Sequence, residues 1–251
     1  MRHIKRAVAL VLMAGVLGCG PASAFDANNK VELEKFIHDY LVSHPEVLIE
    51  AQDALQAKQA EAQKSRDSKV IAENKAEIFR SSDDLVVGNP KGDVSVVEFY
   101  DYNCPYCKHA VADMKTLVAN DPGVRFVLKE FPILGQDSVA ASRVSIAVQM
   151  IAPDKFRQFH DALFDSQQRA DGDFAMAVAT KLGIDKTALT KKLADPSIDA
   201  RIRATYSLAD KLNITGTPAY IVGDEEIAGV VGAGALEQKV QNVRKCNSAA
   251  C

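Results

Sequence analysis

The apolar positions change their period twice along the chain. From residue 29 to 43, Leu33, Phe36, Ile37, Tyr40 and Leu41 recur at spacings of three and four, the stripe of an amphipathic helix. Pro45 suits the start of a second helix, where its missing N–H costs nothing. Val47, Leu48, Ala51, Leu55, Ala62, Val70 and Ile71 carry a thinner stripe to about Phe79. Between Gln56 and Lys69 the residues are mostly Ala, Gln, Lys and Glu, which favour helix and bury little. The heptad register is too irregular to specify a coiled-coil state.

From Leu85 the pattern becomes that of a sheet. Leu85 to Val87 reads as a short strand and Gly88 to Asp93 as a turn. Val94 to Tyr100 is apolar on both faces, as a central strand is. A helical pattern runs from Cys104 to about Val118 and stops at Asn120-Asp121-Pro122-Gly123, and Val124 to Lys129 is again strand-like. Together these predict a βαβ unit. Helical patterns then fall at about 138–151, 154–167, 173–182, 186–194 and 197–211, separated by Pro153, Gly172, Gly183 and Pro196. Their apolar residues, among them Val144, Ile146, Phe156, Phe159 and Leu163, read as core, and His160 as an interhelical or surface residue. Ala219 to Val222, a Gly223-Asp224 hairpin signal, Glu226 to Val231 and a helix from Gly234 to Arg244 complete the chain.

Composition adds an address. The chain has 251 residues, 47% apolar and 25% charged, enough for a real core, with a formal net charge of −3. It has no basic stripe and no aromatic platform for single strands, which argues against a nucleic-acid partner. MRHIKR followed by apolar Ala7 to Leu17 and by Ala22-Ser23-Ala24 reads as a secretory signal with cleavage after Ala24. The expected product is soluble in the periplasm. The rival is a lipoprotein anchored through Cys19, since Val16-Leu17-Gly18-Cys19 loosely matches a lipoprotein processing box. Either route leads to an oxidising compartment.

In that compartment the decisive residues are Cys104-Pro105-Tyr106-Cys107, at the junction of the central strand and its helix. Two cysteines with two residues between them can close a disulfide on a first helical turn. The first sulfur then lies near unpaired backbone N–H groups and the positive end of the helix dipole, which lowers its pKa. Half of a zinc site is the alternative, but it needs a second ligand pair, and His109 alone does not supply one. Cys246 and Cys251 could close a structural loop or remain unpaired in the tail. Glu98, in an apolar strand six residues before Cys104, needs a partner or a proton. Lys129 in the neighbouring strand is the expected partner. Asp101 reads as a rim residue and His109 as an exposed one.

Glu98-Phe99, Cys104-Pro105-Tyr106-Cys107, Lys129-Glu130-Phe131-Pro132 and Thr217-Pro218 resemble the periplasmic DsbA-like thiol–disulfide oxidoreductases. The likeness runs to the suppressor of copper sensitivity protein C and Com1-like branch, and spans roughly Val86 to Lys245. It implies an α/β thioredoxin fold with an inserted helical subdomain and an N-terminal helical extension. The expected organisation is a signal at 1–24, a helical, oligomerising arm at 25–82, thioredoxin-fold parts at 83–135 and 213–245, the insertion at 136–212 and a tail at 246–251. The resemblance also implies a cis Thr217-Pro218 bond opposite the dithiol, substrate contact at Thr217, and a proton-transfer role for Glu98 beneath it, with Lys129 nearby.

Tyr106 stands where the strongest DsbA oxidants have histidine, so a milder oxidant is expected. No organic cofactor or metal is implied. The expected partners are cysteine-containing client proteins, a membrane redox protein of the DsbD/ScsB-like or DsbB-like type, and further copies of the chain in a trimer or dimer. The expected activity is protein disulfide isomerase or interchange. The alternatives are a monomeric dithiol oxidase and a non-enzymatic protein that binds Cu(I) at Cys104 and Cys107 or acts as a chaperone.

Overall fold

A computed structural model describes residues 27–251. The proposed signal, its cleavage site and Cys19 lie outside the described residues. The chain forms two units that divide between Lys58 and Gln59.

The first unit contains α1 (Ala27–Ser43) and the beginning of α2 (Glu46–Glu73). Its apolar stripe is exposed at Leu33, Phe36, Ile37, Tyr40, Leu48 and Leu55. Local contacts are those of a surface helix: Lys35 pairs with Asp39 one turn on, and Tyr40 stacks between Phe36 and His44. A helix whose large apolar groups mostly face water gains little from burial, the main source of helix stability in proteins.

The second unit is built on a five-stranded sheet of order β1-β3-β2-β4-β5: β1 (Leu85–Gly88), β2 (Val94–Tyr100), β3 (Val124–Glu130), β4 (Ala219–Val222) and β5 (Glu225–Ala228). β2 and β3 are parallel and joined by α4 (Pro105–Asn120), and the other pairs are antiparallel. Side chains alternate across a strand, so parity assigns each residue to a layer. Val94, Val96 and Tyr100 of β2, Phe126 and Leu128 of β3, and Tyr220 and Val222 of β4 pack with α4 and with α10 (Ala233–Cys246). Val97, Phe99, Val127, Ala219 and Ile221 form the opposite layer with Ile71, Ile78, Phe79, Leu208 and Ala209.

That second layer corrects the extent of the N-terminal arm. An arm running to residue 82 includes Ile71, Ile78 and Phe79, yet these are core residues of the sheet unit, and Ile78 is fully buried. The long second helix is also two helices. Asn74, whose side chain donates to the Val70 carbonyl, separates α2 from α3 (Lys75–Phe79).

The insertion between β3 and β4 is α5 (Gln136–Ile151), α6 (Phe156–Asp165), α7 (Gly172–Lys181), α8 (Lys186–Lys192) and α9 (Pro196–Lys211). The side chains of Asp171, Asp185 and Asp195 cap α7, α8 and α9 by accepting first-turn amides. His160 is interhelical and buried among Tyr100, Tyr102, Phe156 and Phe164. Its Nδ1 meets the Tyr102 hydroxyl at 3.2 Å, and burial pushes its pKa down to about 3, so it stays neutral. The last strand ends at Ala228, earlier than its apolar pattern, because Gly229 turns away with φ +77° and donates its N–H to the Pro218 carbonyl. A disulfide joins Cys246, the last residue of α10, to Cys251. The tail it closes is anchored by Asp224, which accepts from the Ser248 hydroxyl and the Ala249 N–H.

Candidate functional site

The junction of β2 and α4 places Cys104 at the helix N-cap in extended backbone, with Pro105 in the first turn. The amides of Tyr106 and Cys107, which no helical carbonyl can reach, are directed at the Cys104 sulfur. Cys104 and Cys107 are unbonded thiols. The Cys104 pKa is lowered to about 5, chiefly by the hydrogen bond from the Cys107 thiol, then by the Thr217 side chain and the two amides, against burial. Cys107 is completely buried, and its pKa is driven far up by burial, by its bond to Cys104 and by the charge of Glu98. The pair is therefore sharply asymmetric. The first cysteine, 4% exposed, is favoured as a thiolate, and the second, fully buried, as a protonated thiol.

Thr217 and Pro218 come from the far side of the insertion to complete the site. The Thr217-Pro218 bond is cis, and the Cys104 sulfur lies 3.1 Å from the Thr217 carbonyl oxygen, close enough to donate to it whenever the sulfur is protonated. Pro218 is buried and Thr217 partly exposed. Tyr106 is 63% exposed on the helix beside Cys104.

Glu98 lies in the α4-side layer beneath the dithiol, only 3% exposed. Burial raises its pKa to about 8, with further upward pushes from Asp113 and Cys104. At neutral pH it carries a proton. Lys129 is not its partner. In the β2–β3 register Phe99 opposes Lys129 while Leu128 opposes Glu98, so strand parity sends Lys129 to the other layer. There Lys129 donates to both carboxylate oxygens of Asp84, at 2.8 and 2.7 Å, and to the Glu77 carbonyl. Adjacency in sequence pattern had to be resolved by register, and the one-residue offset decides it.

Asp101 is likewise not a rim residue. It is fully buried and accepts from the Asn103 and Leu134 amides and the Ser138 hydroxyl, fixing the loop before Cys104. His109 is exposed. Asn103, which sequence reasoning passed over, exchanges both hydrogen bonds with the Ala170 backbone at 2.8 Å and so ties the active-site loop to the insertion. An asparagine in a loop has no pattern that foretells such a bond.

The sequence profile of the DSBA-like thioredoxin domain matches residues 95–243. The chain belongs to the DSBA-like thioredoxin family. A second profile, that of the copper resistance protein ScsC N-terminal domain, matches residues 29–62. Among solved structures, a thioredoxin-like oxidoreductase from Silicibacter pomeroyi DSS-3 is 38% identical with a TM-score of 0.66, covering 69% of this chain and 99% of that one. A linker-deletion variant of Proteus mirabilis ScsC is 26% identical with a TM-score of 0.68, over 89% of this chain and 99% of that chain. The Na(+)/H(+) antiporter NhaA 3 of Salinispora tropica is 27% identical over 159 residues, 63% of this chain. This chain spans about a quarter, 24%, of that antiporter's length. No helix among the described residues is long and apolar enough to cross a membrane. A DSBA-like fold with the ScsC-type N-terminal segment accounts for both units, and the resemblance read from the four sequence motifs is the family found.

Proposed function

We propose that the chain is a periplasmic thiol–disulfide oxidoreductase that rearranges disulfides in cysteine-containing client proteins. The observation that carries this is the asymmetry of the dithiol, a Cys104 thiolate formed near pH 5 beside a buried, protonated Cys107. In the reduced enzyme the Cys104 thiolate attacks one sulfur of a client disulfide. A bond forms between Cys104 and that sulfur, and the client's other sulfur leaves as thiolate. A second client thiolate then attacks the mixed disulfide and restores the Cys104 thiolate, or Cys107 gives up its proton and releases a trapped client. In the oxidised enzyme a client thiolate attacks Cys104 and Cys107 leaves. Glu98 is suited to exchange the proton that Cys107 loses or gains, and Thr217 and Pro218 offer the edge along which an extended client can lie. The exposed apolar side chains of Tyr106, Leu134 and Val230 support a preference for unfolded clients. Leu134 is tied to Asp101, and Val230 follows the Gly229 bound to Pro218.

Isomerase work rather than plain oxidation is the finer reading. It is favoured by the exposed stripe at Leu33, Phe36, Ile37, Tyr40, Leu48 and Leu55, which would be covered in an oligomer, and by the ScsC-type segment at 29–62. Several dithiols on one assembly would meet a bound client at high effective concentration. A membrane reductant of the DsbD/ScsB-like type would keep Cys104 reduced.

The test is recovery of scrambled ribonuclease by the full-length protein, run beside oxidation of a reduced dithiol peptide. Recovery should require Cys104 and be absent in Cys104→Ser. Fast peptide oxidation without recovery would instead establish the DsbB-linked oxidase, and inactivity in both assays would refute the reading.

A further inference from the structure

The ionised form of Glu98 needs a donor, and the expected one, Lys129, is turned away and taken by Asp84. A buried carboxylate without a donor or cation is costly. The groups that face Glu98 in its layer can be named from each neighbouring element. From α4 come Cys104, Cys107 and Asp113, from β3 Leu128 and from β4 Tyr220. Asp113 is itself acidic, and accepts the Ala233 N–H at 3.0 Å. From β5 and α10 the charged pair in this layer is Glu225 with Lys239, bonded to each other at 2.6 Å. Glu225 opposes Val222, one pair along that side of the sheet from Tyr220.

Tyr220 is different from all of these. It sits directly opposite Glu98 in the antiparallel β2–β4 register. Directly opposed residues share a face with their Cβ atoms about 5 Å apart. Its side chain is completely buried, and its hydroxyl is a buried polar atom with no hydrogen-bond partner. A buried hydroxyl without a partner is costly, and this one shares its face with the carboxyl that needs a donor.

Resting on the exchange reading above, we infer that the Tyr220 phenol is a positioning residue that donates its hydrogen bond to Glu98 when Glu98 ionises during disulfide exchange. When a client thiolate attacks Cys104 in the oxidised enzyme, the Cys104–Cys107 bond breaks and Cys107 leaves with the electron pair. The Glu98 carboxyl gives Cys107 its proton and becomes a carboxylate. The phenol turns its O–H toward that carboxylate and keeps its own proton, as burial and the neighbouring acids ensure by holding its pKa far above the usual tyrosine value. Reprotonation of Glu98 from solvent, or its recapture of the Cys107 proton in the reverse direction, returns the hydroxyl to its unpartnered state.

The experiment follows the Glu98 side-chain carboxyl by carbon-13 NMR in the full-length disulfide form, where neither active-site thiol titrates. It is paired with the pH dependence of disulfide reduction by dithiothreitol. Tyr220→Phe should raise the Glu98 midpoint by about one pH unit, the scale of a lost hydrogen bond to a charged group. Reduction should slow, while the thermal midpoint is not lowered, because the folded state loses an orphan hydroxyl. In a Glu98→Gln background, Tyr220→Phe should leave the rate profile unchanged. A fluorinated tyrosine at 220, a stronger donor of nearly the same shape, should move the midpoint down. It keeps the question answerable even if the phenylalanine variant folds poorly. An unchanged Glu98 midpoint in these variants overturns the role of Tyr220 and leaves the exchange reading standing. A normal shift in a protein that exchanges no client disulfide would do the reverse.

Discussion

The dithiol shows how one helical turn can give two identical side chains opposite chemistry. Cys104 receives several donors, whereas at Cys107 burial, a bond to give away and a nearby acid outweigh the one backbone hydrogen bond from Asp101. Because the folded Cys104 pKa lies near 5, below its value of 9.0 outside the fold, its ionisation stabilises the reduced protein. That contribution is complete above the unfolded value and is lost as pH falls through 5. The burial of Glu98 is common to both redox forms and cancels between them, and below its pKa of about 8 its carboxyl is neutral beside the Cys104 thiolate. The unfolding temperature of the reduced form relative to the disulfide form should therefore rise from pH 5 to pH 8, as paired thermal melts would show. Lys129 makes the contrasting case. It is 4% exposed and faces Asp84, whose own pKa burial raises to about 6. Lys129→Met strands a buried carboxyl, and breaking such a pair costs about 3–5 kcal/mol. Denaturant unfolding should register that loss, while the rate of exchange per folded molecule stays as it was. A large rate loss at unchanged stability would return Lys129 to the site.

At the scale of elements, the strands, the active-site helix and the insertion helices were legible because their apolar periods are clean. The Val94–Tyr100 strand and the five helices of the insertion fall within a few residues of their patterns. What stayed hidden depends on long-range pairing. Nothing local tells that Glu98 opposes Tyr220 and Leu128 rather than Lys129, or that Asp101 turns inward to hold Leu134 and Ser138. The break at Asn74 was equally silent, since its neighbours are good helix formers on both sides. The tail left two possibilities, and pairing of Cys246 with Cys251 chooses between them. Its cysteines enclose a short loop, so replacing both by serine removes about 2 kcal/mol in the chain-entropy account. The Asp224 anchor to Ser248 and Ala249 remains in that variant. Urea titration should show a modest drop with two-state behaviour intact, and client exchange should be unaltered because the pair is structural.

For the whole molecule, the useful boundary is the division at Lys58 and Gln59 rather than the end of the helical pattern. A chain beginning at Gln59 keeps Ile71, Ile78 and Phe79 over the sheet and should fold as a monomer. One beginning at Asp83 removes those side chains, uncovers Val97, Phe99, Val127 and Ile221, and should aggregate or unfold. Light scattering and thermal melts on the two truncations, beside the full-length protein, separate an assembly arm from a piece of core. A full-length monomer, or a Gln59 chain that still assembles, would remove the arm from the oligomer and with it the basis for isomerase work.

The proximity of the two thiols within one turn also decides how the protein ages in an oxidising compartment. A peroxide that reaches the Cys104 thiolate makes a sulfenic acid, and Cys107 is at hand to displace water from it and close the disulfide. The damage is thereby diverted into the working oxidised form before it can advance to the irreversible sulfinic acid. The buried thiol is a fuse as well as a resolving group. A protein with Cys104 alone would be expected to accumulate sulfinic acid under repeated peroxide exposure, and to be spent where the natural pair is merely reset.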